Sequence, residues 1–412
     1  MRPMGRGTPV VLFAHPSSDL YGADRMVLES VRAVGAGGDR VVVVLPADGP
    51  LSTDGPLRAE LERAGAQVRS ACFPVLRKQH LSAVGALAVA RYTGSTVPSL
   101  VRMLRDLRPG LVYVNTITIP VWTVAARVAG VPAVVHVHEA EEVGRLLGAS
   151  LAAPLLLARA VIVPSLAARR ALVRAVPGLA GRIQVVPNGV APPAGVPVVS
   201  AVPAPRAVPG SPAPGAAATG RPARGRPDGP ARLLLVGRLS PRKGTDVAVG
   251  ALAELRRQGR DVVLDLVGDT FAGYEWFEKE VRRAADVAGL TDRVLFHRFH
   301  PDPAAFRAAA DIVLVPSRVE PFGNVAVEAL LAGRPLVASR VQGLTEIVQA
   351  GRTGLLVPPG DPVALADAVA RLLDDHPLAE RLAAAGRTDA SARFGLDRYQ
   401  ARIRAAVTDT RR

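Results

Sequence analysis

At 412 residues, with 49% hydrophobic and 21% charged side chains, the chain has room for two domains of ordinary size, each with its own core. Its one cysteine, Cys72, excludes an internal disulfide and a cysteine-built metal cage, and its 4% aromatic content is too low for a surface that stacks bases. The formal net charge of +15 is almost wholly arginine, since only Lys78, Lys243 and Lys279 are lysines; a GC-rich coding sequence gives such usage by itself, so the charge alone assigns no nucleic-acid partner.

The start of the chain, Met1 to Gly7, is basic, but the run behind it ends at His15-Pro16, too short for a signal-peptide core. The most apolar segment, Leu151 to Val163, is broken by Pro154 and Arg159 and cannot span a bilayer. A cytoplasmic protein is expected, soluble or peripheral on the inner face of the membrane.

Short Val/Leu runs at Val10–Ala14, Val41–Leu45, Leu111–Asn115 and Val134–His138 alternate with amphipathic stretches, which predicts an α/β fold with parallel sheets buried on both faces. The loop from His15 to Asp24 leads into a helix, with Gly22 placed to let backbone approach a ligand. Leu100 to Arg108 sets Arg102, Arg105 and Arg108 at three-residue steps beside an apolar stripe, a pattern that suits packing on a sheet or contact with an anionic membrane. His136 and His138 share one strand face by the two-residue period, as structural histidines or as catalysts. The rhythm closes at Ile183 to Gly189, completing one doubly wound unit.

Residues 191–230 turn to Pro, Ala, Gly and Arg with no period able to bury a face, and read as a disordered linker or insertion. A second rhythm then runs through strands at Leu233–Gly237, Val262–Gly268, Val294–Phe299, Ile312–Pro316, Leu336–Ser339 and Leu355–Val357. Helices are expected over about 246–258, 275–288, 303–309 and 324–332 and near Thr345, with a helical run from Pro362 to about Ala406. The expected division is 1–190, linker 191–230, 231–390, and a helix over 391–412 returning to the first domain. Two such halves would turn their strand ends toward an inter-domain cleft.

Chemistry concentrates in the second half. The strand at Leu233 runs into a loop carrying Arg238, Arg242 and Lys243 and then a helix that Thr245 is placed to cap, a suitable seat for a diphosphate. In a chain that draws its cations from arginine, a lysine at 243 is a departure. The stretch Glu320-Pro-Phe-Gly-Asn-Val-Ala-Val-Glu328 brackets a Gly-Asn turn with two carboxylates. Gly323 and Asn324 let backbone amides approach a ligand, and Glu328 lies one turn beyond Asn324 on the same helical face, flanked by apolar residues. Carboxylates near a phosphate site suit hydroxyls: a ribose diol for Glu328, sugar hydroxyls for Glu320.

Gly237-Arg238 with Lys243-Gly244, the Glu320 to Glu328 spacing, and Gly343-Leu-Thr-Glu346 before Gly351 to Gly360 together resemble family 4 retaining glycosyltransferases, closely over Arg232–Leu373 and loosely over Val10–Val190. The resemblance implies a GT-B architecture of two Rossmann-like domains and a hexosyltransferase-like, metal-independent enzyme with no cofactor. It implies transfer of a sugar, with retention, from a nucleotide-diphosphate donor to a sugar, lipid-linked or small-molecule acceptor, in cell-surface polysaccharide or glycolipid synthesis. On this resemblance Arg238 and Lys243 neutralise the diphosphate, Glu328 holds the ribose, Glu320 the donor sugar, and the main chain at Phe322, Gly323 and Asn324 lies near sugar and phosphate. His138, with His136 as second choice, reaches the donor sugar, and Glu320 is no nucleophile. The family shows two glycines followed by Ala/Thr and Glu where this chain has Tyr21-Gly22-Ala23-Asp24, which leaves the acceptor side open. The alternatives are a GT-B-type epimerase and a non-catalytic protein that binds a nucleotide sugar or nucleic acid; a glycoside hydrolase would have no use for Arg238 and Lys243.

Overall fold

The computed structural model describes residues 8–47, 55–76, 83–139, 145–191, 229–270 and 273–412; residues 192–228 of the expected linker, and the basic start of the chain, lie outside the described residues. Two compact units form, one from the chain up to Gly189 with Leu396–Arg412 and the other from Val190–Gly395. The second boundary falls at Gly395, five residues beyond the expected 390, between two separate helices.

In the N-terminal unit the strands are β1 (Val10–Ala14), β2 (Arg40–Pro46), β3 (Gln67–Ala71), β4 (Leu111–Val114), β5 (Ala133–His136), β6 (Ala160–Val163) and β7 (Ile183–Val185), all parallel in the order β3-β2-β1-β4-β5-β6-β7. Their Val/Leu runs are apolar without alternation because helices cover both faces: Val11, Leu12, Phe13 and Ala14 are all fully buried. The strand expected to reach His138 stops at His136, where the ladder to β6 ends opposite Ile162.

The helices are α1 (Gly22–Ala36), α2 (Pro56–Arg63), α3 (Ala83–Leu107), α4 (Pro120–Ala129), α5 (Arg145–Ala152) and α6 (Leu166–Ala175). On α3 the apolar stripe is spent in the core, where Leu100 and Leu104 pack with Trp122 of α4, while Arg102 and Arg105 stay exposed. Over Leu100–Arg108, then, a membrane contact would be offered arginines and not the apolar stripe.

The C-terminal unit contains β8 (Ala231–Val236), β9 (Val262–Val267), β10 (Val294–His297), β11 (Ile312–Val315), β12 (Leu336–Ser339) and β13 (Leu355–Val357), parallel in the order β10-β9-β8-β11-β12-β13. Its helices are α7 (Thr245–Arg257), α8 (Glu275–Val287), α9 (Ala304–Ala309), α10 (Asn324–Leu331), α11 (Leu344–Ile347), α12 (Pro362–Asp374) and α13 (His376–Phe394). In each sheet the strand order reverses direction once, between β1 and β4 and between β8 and β11, and there the crossover helices diverge and leave a crevice at the strand carboxyl ends.

The last helix, α14 (Leu396–Arg411), belongs to the N-terminal unit, packed on α1. Tyr399 Oη lies 2.6 Å from Ser30 Oγ and donates to Met26 O at 3.2 Å, Ile403 is fully buried, and Arg411 forks onto Asp39 with both bonds at 2.8 Å. Among the described residues no helix is long and apolar enough to cross a membrane.

Because Ile403 fills the joint between α14 and the sheet, Ile403→Ala is expected to destabilise the N-terminal unit by about 2–4 kcal/mol through transfer and cavity costs together. Urea unfolding followed by Trp122 emission, in a Trp276→Phe background, measures it.

Candidate functional site

The C-terminal unit gathers its chemistry at the β8/β11 reversal, in a crevice lined by Val236, Lys243, Pro316, Ser317 and Val325. After β8 the chain passes Gly237 and Arg238 into a single 3-10 turn, Pro241–Lys243, and reaches α7 through Gly244. Gly244 has φ +69°, and a Cβ there would stand 2.0 Å from Pro316 O, so only glycine lets the loop close against the end of β11. Arg318 N donates to Arg242 O at 2.8 Å, and the Arg318 guanidinium holds Asp246 and Pro241 O, fixing the loop from the other side. Thr245 does not cap α7 as expected: Gly244 is the cap residue, and the Thr245 hydroxyl is fully buried without a partner because its residue has turned into the helix.

Glu320 and Lys243, expected to serve sugar and diphosphate separately, meet directly: Lys243 Nζ donates to Glu320 Oε2 at 2.5 Å, and Ser317 Oγ donates to the same oxygen at 3.2 Å. The Glu320 backbone is held from both sides, its N–H by Gln342 Oε1 at 3.0 Å and its carbonyl by Gly343 N at 3.0 Å. Burial works to raise the Glu320 carboxyl, but Lys243, Arg242 and Ser317 outweigh it and hold it below the usual carboxylate range. Glu328 makes a second pair, accepting from Arg307 Nη1 of α9 at 2.8 Å. Between the two carboxylates Gly323 has φ +119°, and a Cβ would strike Leu344 at 2.6 Å; Asn324 opens α10, while the Phe322 ring is buried edge-on against Phe394. Arg307 and Gln342 had no motif to mark them; the one sign was that Gln342 closely follows the end of β12.

The N-terminal unit has its own cluster at the β1/β4 reversal. His15, Asn115 and His138 follow the ends of the adjacent strands β1, β4 and β5. Asp24 on α1 accepts from the Tyr21 amide at 2.8 Å and from Ser17 Oγ at 2.5 Å, and lies 2.8 Å from His15 Nε2. Asn115 Nδ2 lies 3.0 Å from His15 Nδ1, and Asn115 Oδ1 lies 3.0 Å from His138 Nε2. The departure from the family's Glu thus has a use: Asp24, one methylene shorter, closes onto both its own helix start and His15. Gly22 is the first residue of α1.

His136 is fully buried, 2.8 Å from Tyr113 Oη through Nδ1, and its ring centroid is 4.0 Å from that of His138. Burial, then the neighbouring His138, holds His136 well below the ordinary imidazole value. Burial and His15, against the pull of Asp24, hold His138 at about 3. Among the described residues no three His, Cys, Asp or Glu side chains gather where they could hold a metal ion.

These depressed histidines make stability depend on pH. Below about 6.5 the unfolded chain binds protons that the folded His136 and His138 refuse, so their contribution is complete above that pH and is lost as pH falls toward about 3 for His138. Between pH 7 and 5 the N-terminal unit is expected to lose about 2–4 kcal/mol, and His136→Gln to halve that slope; urea unfolding at pH 5, 6 and 7 checks it.

Two family models match in succession, "Glycosyltransferase Family 4" over residues 21–192 and "Glycosyl transferases group 1" over 218–389. Among curated proteins the chain is similar to a glycogen synthase of Mycobacterium tuberculosis, 40% identical over 39% of this chain and 38% of that one. It is similar to an alpha-D-kanosaminyltransferase of Streptomyces kanamyceticus, 38% identical over 37% of this chain and 38% of that one. The matched segments thus span 38% of the length of these curated relatives. Among solved structures, Anabaena HepE in complex with UDP-glucose superposes with a TM-score of 0.77 at 25% identity, covering 97% of this chain and 99% of that one. Sucrose-phosphate synthase of Thermosynechococcus elongatus shares the fold at 22% identity, with a TM-score of 0.72 over 98% of each chain. Two Rossmann-ordered parallel sheets, the Lys243-Gly244 loop, the Glu320 to Glu328 pair and these matches agree: the chain belongs to the family 4 glycosyltransferases and has their GT-B architecture.

Proposed function

We propose that the protein is a retaining glycosyltransferase that moves a hexose from a nucleoside-diphosphate sugar, with UDP-glucose the first donor to test, to an acceptor hydroxyl. The observation that carries the reading is the contact of Lys243 with Glu320 at the β8/β11 crevice. An ammonium has three N–H donors, so Lys243 can serve a diphosphate while keeping Glu320, and the carboxylate then faces sugar hydroxyls with its remaining lone pairs. Arg238 and Arg242 add charge from the same loop, which lets side chains carry the neutralising role without a metal. Glu328, oriented by Arg307, is assigned the ribose, and the amides opening α10 at Gly323 and Asn324 the sugar and phosphate.

Glu320 is assigned no covalent role. Its Oε2 is engaged by an ammonium and a hydroxyl, which lowers its basicity and with it its nucleophilicity. Retention then follows from departure of the nucleoside diphosphate and attack of the acceptor on the same face of an oxocarbenium-like sugar, with charge stabilisation and positioning as the protein's task. The N-terminal unit is assigned the acceptor, and His138 the donor sugar. The acceptor is taken as a hydroxyl of a sugar, a lipid-linked glycan or a small molecule, with cell-surface polysaccharide or glycolipid assembly as the setting.

A peripheral contact with anionic lipid is proposed on ground other than α3. From Leu151 to Val190 the sequence has five arginines and no Asp or Glu, and on that segment Leu156, Leu157 and Leu166 are 39%, 41% and 50% exposed. Arg182 donates to Leu156 O and Ala158 O, so cation and leucines lie together. Vesicles rich in phosphatidylglycerol should sediment the protein at low salt, with Leu156→Ser/Leu157→Ser weakening it; no sedimentation at low salt would end the idea.

UDP in the presence of EDTA is expected to raise the thermal midpoint of the protein, and Lys243→Ala and Glu328→Ala to abolish the rise. Glu320→Gln separates binding from chemistry: it unloads Lys243, so UDP should bind at least as well, while UDP-glucose turnover falls by about 100-fold or more. Equal loss of UDP binding in Glu320→Gln would show that the carboxylate organises the phosphate loop instead, and a covalent glycosyl-protein trapped on the wild type would overturn the assignment.

A further inference from the structure

The cluster that joins His15, Asp24, Asn115 and His138 has a definite order of protons, and the order can be read from groups whose roles are fixed. A backbone carbonyl only accepts. Asn115 Nδ2 lies 3.4 Å from Ala23 O, so the amide nitrogen is the end turned toward α1, and it is that same nitrogen that reaches His15 Nδ1 at 3.0 Å. His15 Nδ1 therefore accepts, and a neutral His15 has its proton on Nε2, which donates to Asp24 Oδ1 at 2.8 Å. Asp24 is already committed as an acceptor from Ser17 Oγ and the Tyr21 amide. With Nδ2 turned to His15, the Asn115 oxygen faces His138, and Oδ1 accepts from His138 Nε2–H at 3.0 Å.

We propose that Asp24, His15 and Asn115 are positioning residues that hold His138 as the neutral Nε2–H tautomer, so that its Nδ1 accepts a hydrogen bond from a hydroxyl. The assignment of His138 to the donor sugar rests on the function proposed above; the tautomer does not. On this ordering His138 serves a sugar or acceptor hydroxyl, and it supplies neither a proton nor a positive charge to the diphosphate. The chain is stiff because each link is pinned elsewhere: Asp24 by the start of α1, Asn115 at the end of β4 by Ala23 O, and His138 by its backbone amide, which donates to Glu139 Oε2 at 3.1 Å. Glu139 is itself held by the Thr116 hydroxyl and the Ile117 amide. Asn115 and His15 are 0% and 1% exposed, so water does not compete for these bonds.

The groups around His138 that titrate or bear charge are His15 after β1, Asp24 on α1, Tyr113 on β4, His136 and Glu139 flanking it, and Tyr399 on α14 beyond His136. Asp24 and Glu139 are the two carboxylates among them, and both accept from the donors named above. Replacing the Asn115 amide with a carboxylate would change this balance directly, because Asp at 115 faces both imidazoles and favours their cations.

The test uses the full-length protein labelled with 15N-histidine. Long-range 1H–15N spectra identify imidazole tautomers directly, and His138→Gln assigns the signal. The expected result is the Nε2–H pattern for His138 in the wild type from pH 5 to 8, a protonated His138 within that range in Asn115→Asp, and mixed tautomers in Asn115→Leu and Asp24→Asn. Two substitutions at different links guard against one that fails to fold. The Nδ1–H pattern or a cationic His138 in the wild type at pH 7, or an unchanged His138 in both Asn115→Leu and Asp24→Asn, would overturn the proposal. UDP-glucose turnover provides the second readout. Asn115→Asp should gain an acid limb in its pH profile, and Asn115→Leu should lose about tenfold in kcat with the KM for UDP-glucose changed less than about threefold. Absence of any wild-type turnover with the expected tautomer intact would count against the glycosyltransferase reading and leave the proton order standing; normal turnover with the wrong tautomer would do the reverse.

Discussion

Strand polarity is the constraint from which the rest of the structure follows. Every pairing in both sheets is parallel, so each strand must be followed by a crossover, and all carboxyl ends of a sheet share one edge. Where the order reverses, at β1/β4 and at β8/β11, successive crossovers leave on opposite faces and open a gap between them. The polar residues that end these strands have somewhere to go only there. His15 and Asn115 end β1 and β4; Gly237 and Pro316 end β8 and β11, and Lys243 and Ser317 follow them into the crevice.

Such crevices are dry enough for charge to be expensive, and the molecule meets the cost by pairing. Glu320 is with Lys243, Glu328 with Arg307, Asp24 with His15, and within the second sheet Asp265 with Arg232 and His297. A buried pair of this kind adds little net stability over an apolar pair of the same size, since desolvation consumes most of the attraction. Its value is geometric. Glu320 cannot swing away from Lys243 without leaving an uncompensated charge, so the loop after β8 and the loop after β11 are held in register by the electrostatics that a diphosphate would use.

Much of this was legible in the chain, and the reasons differ from place to place. Uninterrupted apolar runs marked the strands because parallel strands are buried on both faces, and β12 and β13 fall on the residues expected, Leu336–Ser339 and Leu355–Val357. The two carboxylates and the isolated lysine could be picked out because their residue types are rare or costly where they stand. What spacing could not give was partnership. Nothing in the order of residues said that Lys243 would meet Glu320, 77 positions away, or that Asn115 would reach His15 across 100 positions. Thr245 failed as a cap because the left-handed Gly244 took that position, a backbone choice made by the close approach of Pro316 and not by local propensity. Arg307 was unreadable for a similar reason: on a six-residue helix it resembles any surface arginine until α10 brings Glu328 to it.

The two polar clusters also differ in the charge they offer, and the difference has chemical sense. The loop after β8 presents three cationic side chains, Arg238, Arg242 and Lys243. The N-terminal cluster presents His136 and His138, which burial holds below the ordinary imidazole value, His138 at about 3. A sugar leaving a diphosphate becomes positive while the diphosphate becomes more negative. Cations belong on the leaving group, where they gain as the reaction proceeds, and a cation beside the sugar would oppose the developing charge. A neutral hydrogen-bond acceptor beside a sugar hydroxyl orients the ring without that penalty. On the function proposed above, the neutrality of His138 suits that place: burial and His15 keep it there against the pull of Asp24.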